Sequence, residues 1–402
     1  MDKKIRILFV DDEPVILDSL KRMLRSMSQE WEVGFANSGQ EALKTMEKES
    51  YDVVVTDMRM PGMDGAQLLE EIKKRFPETA RIILSGQTGQ KAFIRAAKSA
   101  HQFLTKPCDT ETLKENVERI FSLRKILADQ ELMNLVAQIE SLPSPPELYH
   151  LLREELESAN FTLERVGEII SKDASMTAKI LQLANSAFFG FSEKISTPSH
   201  AVQVLGLDIV KALILALGIF SEFEKRVMES FSIDRLWKHN LLVGEFARKI
   251  VQAENEEQKM ENQAAIAGLL HDIGKLVIAA NLPDQFRKIL LLASDRKIPY
   301  WEAEREVLKA THAELGGYLL GLWGLLDPIV EAVVYHQFPS QCKKSGFSPL
   351  TAVHVANILE HRAESDQHQS NAQIDEKHLK ELGLLDRLSE WEKRCGEKSD
   401  QS

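Results

Sequence analysis

Two groups of residues in this sequence have the types and spacing to do chemistry. The first is acidic and dispersed: Asp11 and Asp12 in "FVDDEP" and Asp57 in "VVVTDMR", with Ser85 in "IILSG" and Lys106 in "FLTKP". Three carboxylates brought together repel one another, so the cluster needs a cation. Mg²⁺ suits it, because that ion takes oxygen ligands from one or a few carboxylates and keeps several waters. Asp57 could then attack a phosphoryl group, with metal and lysine neutralising charge during the transfer. The second group centres on "HDIGK", residues 271 to 275. A histidine followed by an aspartate at a helix start can hold a divalent metal, and the same pair can persist as buried polar residues in a protein that catalyses nothing.

The acidic group needs elements that gather distant residues at one edge. Short β-rich runs alternate with helical periodicity over the first 122 residues: "IRILFV", "WEVGFA", "DVVVTD", "RIILS" and "QFLTKP", each followed by an amphipathic stretch. Five strands separated by helices imply a parallel sheet wound on both faces. In such folds sites form at the carboxyl ends of the strands. Asp11 and Asp12 follow the first strand, Asp57 ends the third, Ser85 the fourth, and Lys106 the fifth.

"VDDEP", "TDMRMPGMDG", "LSG" and "FLTKP" resemble the receiver domain of two-component response regulators, an α/β flavodoxin-like fold with a parallel five-stranded sheet. The resemblance implies that Asp57 is the phosphoacceptor. It makes Asp11, Asp12 and Asp57, with the backbone of Arg59, the Mg²⁺ ligands. Ser85 becomes the switch hydroxyl, Phe103 the switch aromatic and Lys106 the phosphate-contacting lysine. It also implies a cognate histidine kinase as phosphodonor.

From Asp109 to about Glu140 the chain has no Gly or Pro, and apolar residues recur at spacings of three and four. That pattern predicts a helix running on from the receiver, with no flexible linker. The same stripe also suits a homodimer seam or packing onto the sheet. The expected division is a receiver at 1–122, a connecting helix at 123–140, a helical domain at 135–340, and at 341–402 a completing helix with a polar tail.

"SKDASMTAKILQLANSAFFG", "AVQVLGLDIVKAL", "GLLHDIGKLV" and "THAELGGYLL" resemble the HDOD family, all-α signalling domains related to the metal-dependent HD phosphohydrolases. The candidate metal set is His239, His271, Asp272, His312, His336 and Asn357. Where hydrolytic relatives close the site with an aspartate this chain has Asn357, whose amide oxygen is neutral and a weaker ligand. Asp272 is the one carboxylate in that set, so a two-metal clamp lacks charge. "YHQFPSQCKK" also lacks the acids and glycines of the cyclic-dinucleotide phosphodiesterases' HHExxDGxGYP segment. The expectation is a degenerate site holding a single divalent metal or none, and an output through a downstream signalling protein. The alternative is a receiver-gated, metal-dependent phosphodiesterase acting on cyclic dinucleotides.

Composition narrows the classes. The 402 residues carry a formal charge of -11, and no Lys/Arg cluster suggests nucleic acid or anionic membrane as a partner. Cys108, Cys342 and Cys395 form no CxxC pair, which suits a reducing compartment. The apolar stretch at 205–220 is broken by Asp208 and Lys211 and is read as a buried core helix. A cytoplasmic protein is expected.

Overall fold

A computed structural model describes residues 4–27, 29–76, 79–85, 99–106, 113, 114, 117, 147–156, 161–185, 195–223, 232–323, 325–342, 346–363 and 373–396. The predicted connecting helix at 123–140 and the predicted helix near Gln90 lie outside the described residues. The chain divides into two compact units.

The first unit is built on β1 (Ile5–Val10), α1 (Pro14–Met23), β2 (Trp31–Ala36), α2 (Gly39–Lys48), β3 (Val53–Asp57), α3 (Gly65–Arg75), β4 (Ala80–Ser85) and β5 (Gln102–Thr105). The strands lie in the order β2-β1-β3-β4-β5, all parallel. Ile7, Leu8, Phe9, Val54, Ile82 and Ile83 are fully buried, as expected of a sheet covered on both faces. Each helix start has a local cause. Pro14 opens α1, the Ser38 hydroxyl accepts from the Glu41 amide, and Asp64 with Gln67 forms a capping box on α3.

The second unit is helical among the described residues. It comprises α4 (Glu147–Leu156), α5 (Leu163–Ser171), α6 (Ala174–Ala184), α7 (Pro198–Leu205), α8 (Leu207–Phe223), α9 (Ile233–Ala253), α10 (Gln258–Leu270) and α11 (Ile273–Asn281). After these come α12 (Pro283–Arg296), α13 (Tyr300–Leu308), α14 (His312–Leu322), α15 (Asp327–Tyr335), α16 (Pro349–Ala363), α17 (Glu376–Leu382) and α18 (Leu388–Gly396). Helix starts have local causes here too: Thr197 caps α7 ahead of Pro198, and Pro283 opens α12. Thr311 and Glu314 form a capping box, with the Thr311 amide 2.7 Å from the Glu314 carboxylate. In α8, Val210, Leu213, Ile214, Leu215 and Ala216 are fully buried, so the apolar run at 205–220 is core. The span Gln258–Asn281 is long and apolar enough to cross a membrane, but 83% of its apolar window is buried inside the protein.

α9, α10 and α16 form the centre, and α15 and α18 pack onto it. α9 and α10 approach backbone to backbone: a Cβ on Gly268 would meet the Gly244 Cα at 2.6 Å. The C-terminal segment belongs to this core. Trp391 on α18 is fully buried and donates its indole N–H to Glu254 at 2.8 Å, and Arg387 reaches the same carboxylate at 2.8 Å.

Candidate functional site

Sheet register assembles the acidic group. β1 and β3 are neighbours with Val10 opposite Thr56, so Asp11 and Asp57 emerge side by side. Ser85 on β4 pairs with Thr105, which places Lys106 one residue beyond the paired end of β5. The Lys106 Nζ donates to Asp11 Oδ2 at 2.7 Å and also contacts Asp57. Burial alone would lower this lysine's pKa, but hydrogen bonds to Asp11 and Asp57 and their charges outweigh it and raise it. The Arg59 amide donates to Asp57 Oδ2 at 2.6 Å, and the Glu13 amide to Asp11 Oδ1 at 2.9 Å. Asp11 is buried and Asp12 half-buried. A Cβ on Gly65 would lie 2.1 Å from the Asp57 carbonyl oxygen, so glycine is what lets α3 start against this strand end. The structure thus brings together Asp11, Asp57, Lys106 and the backbone at Arg59. The side chains of Ser85 and Phe103 lie outside what it describes.

The residues present fit a magnesium ion. Carboxylate oxygens of Asp11 and Asp57 converge, and the ammonium of Lys106 already offsets part of their repulsion.

The second group is a cluster of histidines around Asp272. His239 lies on α9, His271 and Asp272 between α10 and α11, His312 at the start of α14, and His336 just past α15. All five are buried. Close helix contact gathers them. The Gly244–Gly268 approach brings His239 to His271, and a Cβ on Gly274 would lie 2.0 Å from the His312 carbonyl oxygen.

In each histidine one ring nitrogen is committed outward. The Nδ1 atoms of His271 and His336 donate to the carbonyls of Gly268 at 2.7 Å and Val333 at 2.8 Å. Those of His239 and His312 meet carboxylates, Glu360 and Glu304, each at 2.6 Å. The Nε2 atoms therefore turn inward. His239 and His271 face each other through Nε2 at 3.2 Å. Asp272 lies 3.5 Å from His271 Nε2, 3.6 Å from His239 Nε2 and 3.0 Å from His312 Nε2.

Electrostatics sort the members. Burial, with repulsion from His239 and Lys275, pulls His271 down to about 3 in spite of Asp272, so its Nε2 carries a lone pair. Burial likewise holds His336 well below its ordinary value. His312 goes the other way: burial opposes its charge, but Glu304 and Asp272 on either side raise its pKa. Burial would raise Asp272, yet His271, Lys275 and His312 hold it well below the usual carboxylate range.

Sequence reasoning missed Glu304, Glu360 and His361. Glu360 and His361 stand three and four residues beyond Asn357, on the same face of α16, a spacing that was available to be read. The His361 ring stacks on His239 at 4.7 Å, and burial brings it down to about 3. Asn357 lines the adjoining cavity of about 390 Å³ together with Lys275, Tyr300, Trp301 and Phe338, and its Oδ1 is buried without a partner. Lys275, which also lines this cavity, meets Asp272 Oδ2 at 2.5 Å. His354 has a structural role, donating to the His336 carbonyl at 2.7 Å and accepting from the Asp375 amide at 2.8 Å.

A doubly wound sheet with an acid–lysine site, followed by a helical unit with a buried histidine cluster, defines a signalling protein of receiver-plus-output type. The family model of the response regulator receiver domain matches residues 7–118, and that of the HDOD domain matches residues 142–339. The chain belongs to the response regulators that join an N-terminal receiver to an HDOD domain. It is 26% identical over 205 residues to an uncharacterized protein of Treponema pallidum (strain Nichols), covering 50% of this chain and 39% of that protein. It is 31% identical over 169 residues to the hydrogenase transcriptional regulatory protein HoxA of Cupriavidus necator, covering 41% of this chain and 34% of that one. Thus it spans less than half the length of these curated relatives. Among solved structures, a response regulator receiver domain protein from Clostridium thermocellum is 36% identical, with 31% of this chain and 98% of that one covered and a TM-score of 0.28. An HDOD domain protein of unknown function from Geobacter sulfurreducens is 21% identical, with 71% and 99% covered and a TM-score of 0.48.

Proposed function

We propose that this response regulator is switched by phosphorylation of Asp57 and acts through its HDOD domain as a non-catalytic protein-interaction output. The observation that supports this most is the convergence of Lys106 on both Asp11 and Asp57 at the carboxyl edge of the sheet. A carboxylate oxygen of Asp57 attacks the phosphorus of a kinase phosphohistidine. The P–N bond breaks, and the imidazole leaves with a proton from water. Asp11, Asp12 and the Arg59 backbone would hold Mg²⁺, which when bound neutralises charge on the transferring group. Lys106 pairs with the phosphoryl oxygens, and Ser85 and Phe103 report the new charge to a downstream signalling protein. The working boundaries are 1–122 for the receiver, 123–140 for the connecting helix, 135–340 for the HDOD module and 341–402 for the completing segment. In the HDOD module His239, His271 and Asp272 would hold a single divalent metal.

The full chain should take up phosphate from a small phosphodonor only with Mg²⁺ present. Asp57→Asn should abolish the label; a label surviving in that variant would place the phosphate elsewhere. The second reading, a phosphorylation-gated phosphodiesterase, draws on the cavity beside the histidines. Turnover of cyclic dinucleotides by the purified wild type would establish it and displace the non-catalytic reading.

A further inference from the structure

Two features of the histidine cluster call for a cation. His239 and His271 direct Nε2 atoms at each other across 3.2 Å, while their Nδ1 atoms hydrogen-bond Glu360 and the Gly268 carbonyl. Two imidazole lone pairs at that separation repel unless a positive charge lies between them. The spacing also suits a metal. Tetrahedral Zn²⁺ with bonds of about 2.0–2.1 Å holds its ligand atoms about 3.3 Å apart. The His239–His271 edge is 3.2 Å, and the Asp272 carboxylate faces that pair with Oδ1 3.5 Å from His271 Nε2 and Oδ2 3.6 Å from His239 Nε2.

The neutral amide of Asn357 leaves this site without the closing acid that a dication would want. One turn further along α16, Glu360 is buried, with Oε2 2.6 Å from His239 Nδ1 and Oε1 without a partner. That 2.6 Å is a hydrogen-bond distance and too short for two atoms sharing a tetrahedral ion, so Glu360 acts through His239 rather than on the metal. A carboxylate on the far nitrogen fixes the tautomer that presents Nε2 and makes the ligand more basic. Glu304 holds His312 in the same way, also with a buried, unpartnered Oε1. Among the described residues Lys275 pairs with Asp272, whereas Glu304 and Glu360 meet histidine rings, and a dication adds positive charge to this acidic cluster.

We infer that Glu360 is the positioning residue of the HDOD metal site, compensating through His239 for the acid missing at Asn357, and that the site selects an imidazole-preferring dication of the Zn²⁺, Co²⁺ and Fe²⁺ class over Mg²⁺. This rests on the metal reading above. The test titrates chelator-stripped full-length protein with Zn²⁺ and Co²⁺ in millimolar Mg²⁺, which keeps the receiver acids occupied. Wild type should bind one equivalent at the HDOD site, and the Co²⁺ spectrum should show nitrogen ligation. Glu360→Gln keeps an acceptor for His239 but loses the charge, and should bind roughly 10–100-fold more weakly with a shifted Co²⁺ spectrum. Glu360→Asp should recover part of the loss. Wild-type affinity and an unshifted Co²⁺ spectrum in Glu360→Gln would overturn this inference alone. A wild type that takes up neither ion removes the metal reading itself, and this inference with it.

Discussion

At the scale of single residues, the receiver site balances one ammonium against two acids, Asp11 and Asp57. Lys106 occupies the position between Asp11 and Asp57 where an incoming phosphoryl oxygen would need a positive partner. Replacing it with methionine leaves the acids unneutralised, which favours a cation more and phosphoryl transfer less. Lys106→Met should bind Mg²⁺ several-fold more tightly by calorimetry and accept phosphate at least about tenfold more slowly. Unchanged Mg²⁺ affinity would mean that the lysine's contacts here carry little charge coupling. These residues were legible in sequence because strand ends in a parallel sheet define a locus, and Asp11, Asp57 and Lys106 each adjoin one. The spacing of Glu360 from Asn357 was legible, but its partner was not, because His239 lies 121 positions away in the chain.

Among elements, the histidine cluster depends on helices that touch without side chains between them. α11 meets the start of α14 at Gly274, where a Cβ would sit 2.0 Å from the His312 carbonyl oxygen. The clash is with backbone, so no rotamer change relieves it, and α11 must move away from α14. Gly274→Ala should cost about 1–3 kcal/mol or more in unfolding free energy and should separate Asp272 from His312. Gly396→Ala at the end of α18 meets nothing within 4 Å and should be close to neutral. Equal stability of the two variants would refute the close contact. The starts of these helices at Thr197–Pro198, Thr311–Glu314 and Leu282–Pro283 carry local sequence signals, whereas distances of approach between helices carry none. Glycine in "HDIGK" reads equally as a motif residue or a helix weakness until the facing backbone is known.

At the scale of the whole molecule, the buried histidines make the HDOD domain sensitive to acid. His354 is pulled down to about 4, chiefly by burial, against the pull of the His336 carbonyl and Asp375. His271 and His361 lie at about 3, and His336 well below its ordinary value. In the unfolded chain each returns to about 6.5. Above that pH both states are neutral at these positions, and the stability they confer is complete. As pH falls below 6.5 the unfolded chain binds protons that the folded chain refuses, so stability drops until the folded values are reached near 4 and 3. His312 opposes the trend, because its raised value gives stability at low pH that is lost as pH rises through it. Burial lowers His378 as well, and one histidine against five does not reverse the sign. Hydrogen exchange in α9, α10 and α11 should therefore accelerate steadily from pH 7 to pH 4 after correction for intrinsic exchange. His354→Gln, which can still donate to the His336 carbonyl and accept from the Asp375 amide, should reduce that pH dependence by about one proton's worth, up to roughly 3 kcal/mol across the window. A slope identical to wild type would show that His354 takes up its proton at the same pH in the folded as in the unfolded chain, so that burial does not keep its ring neutral.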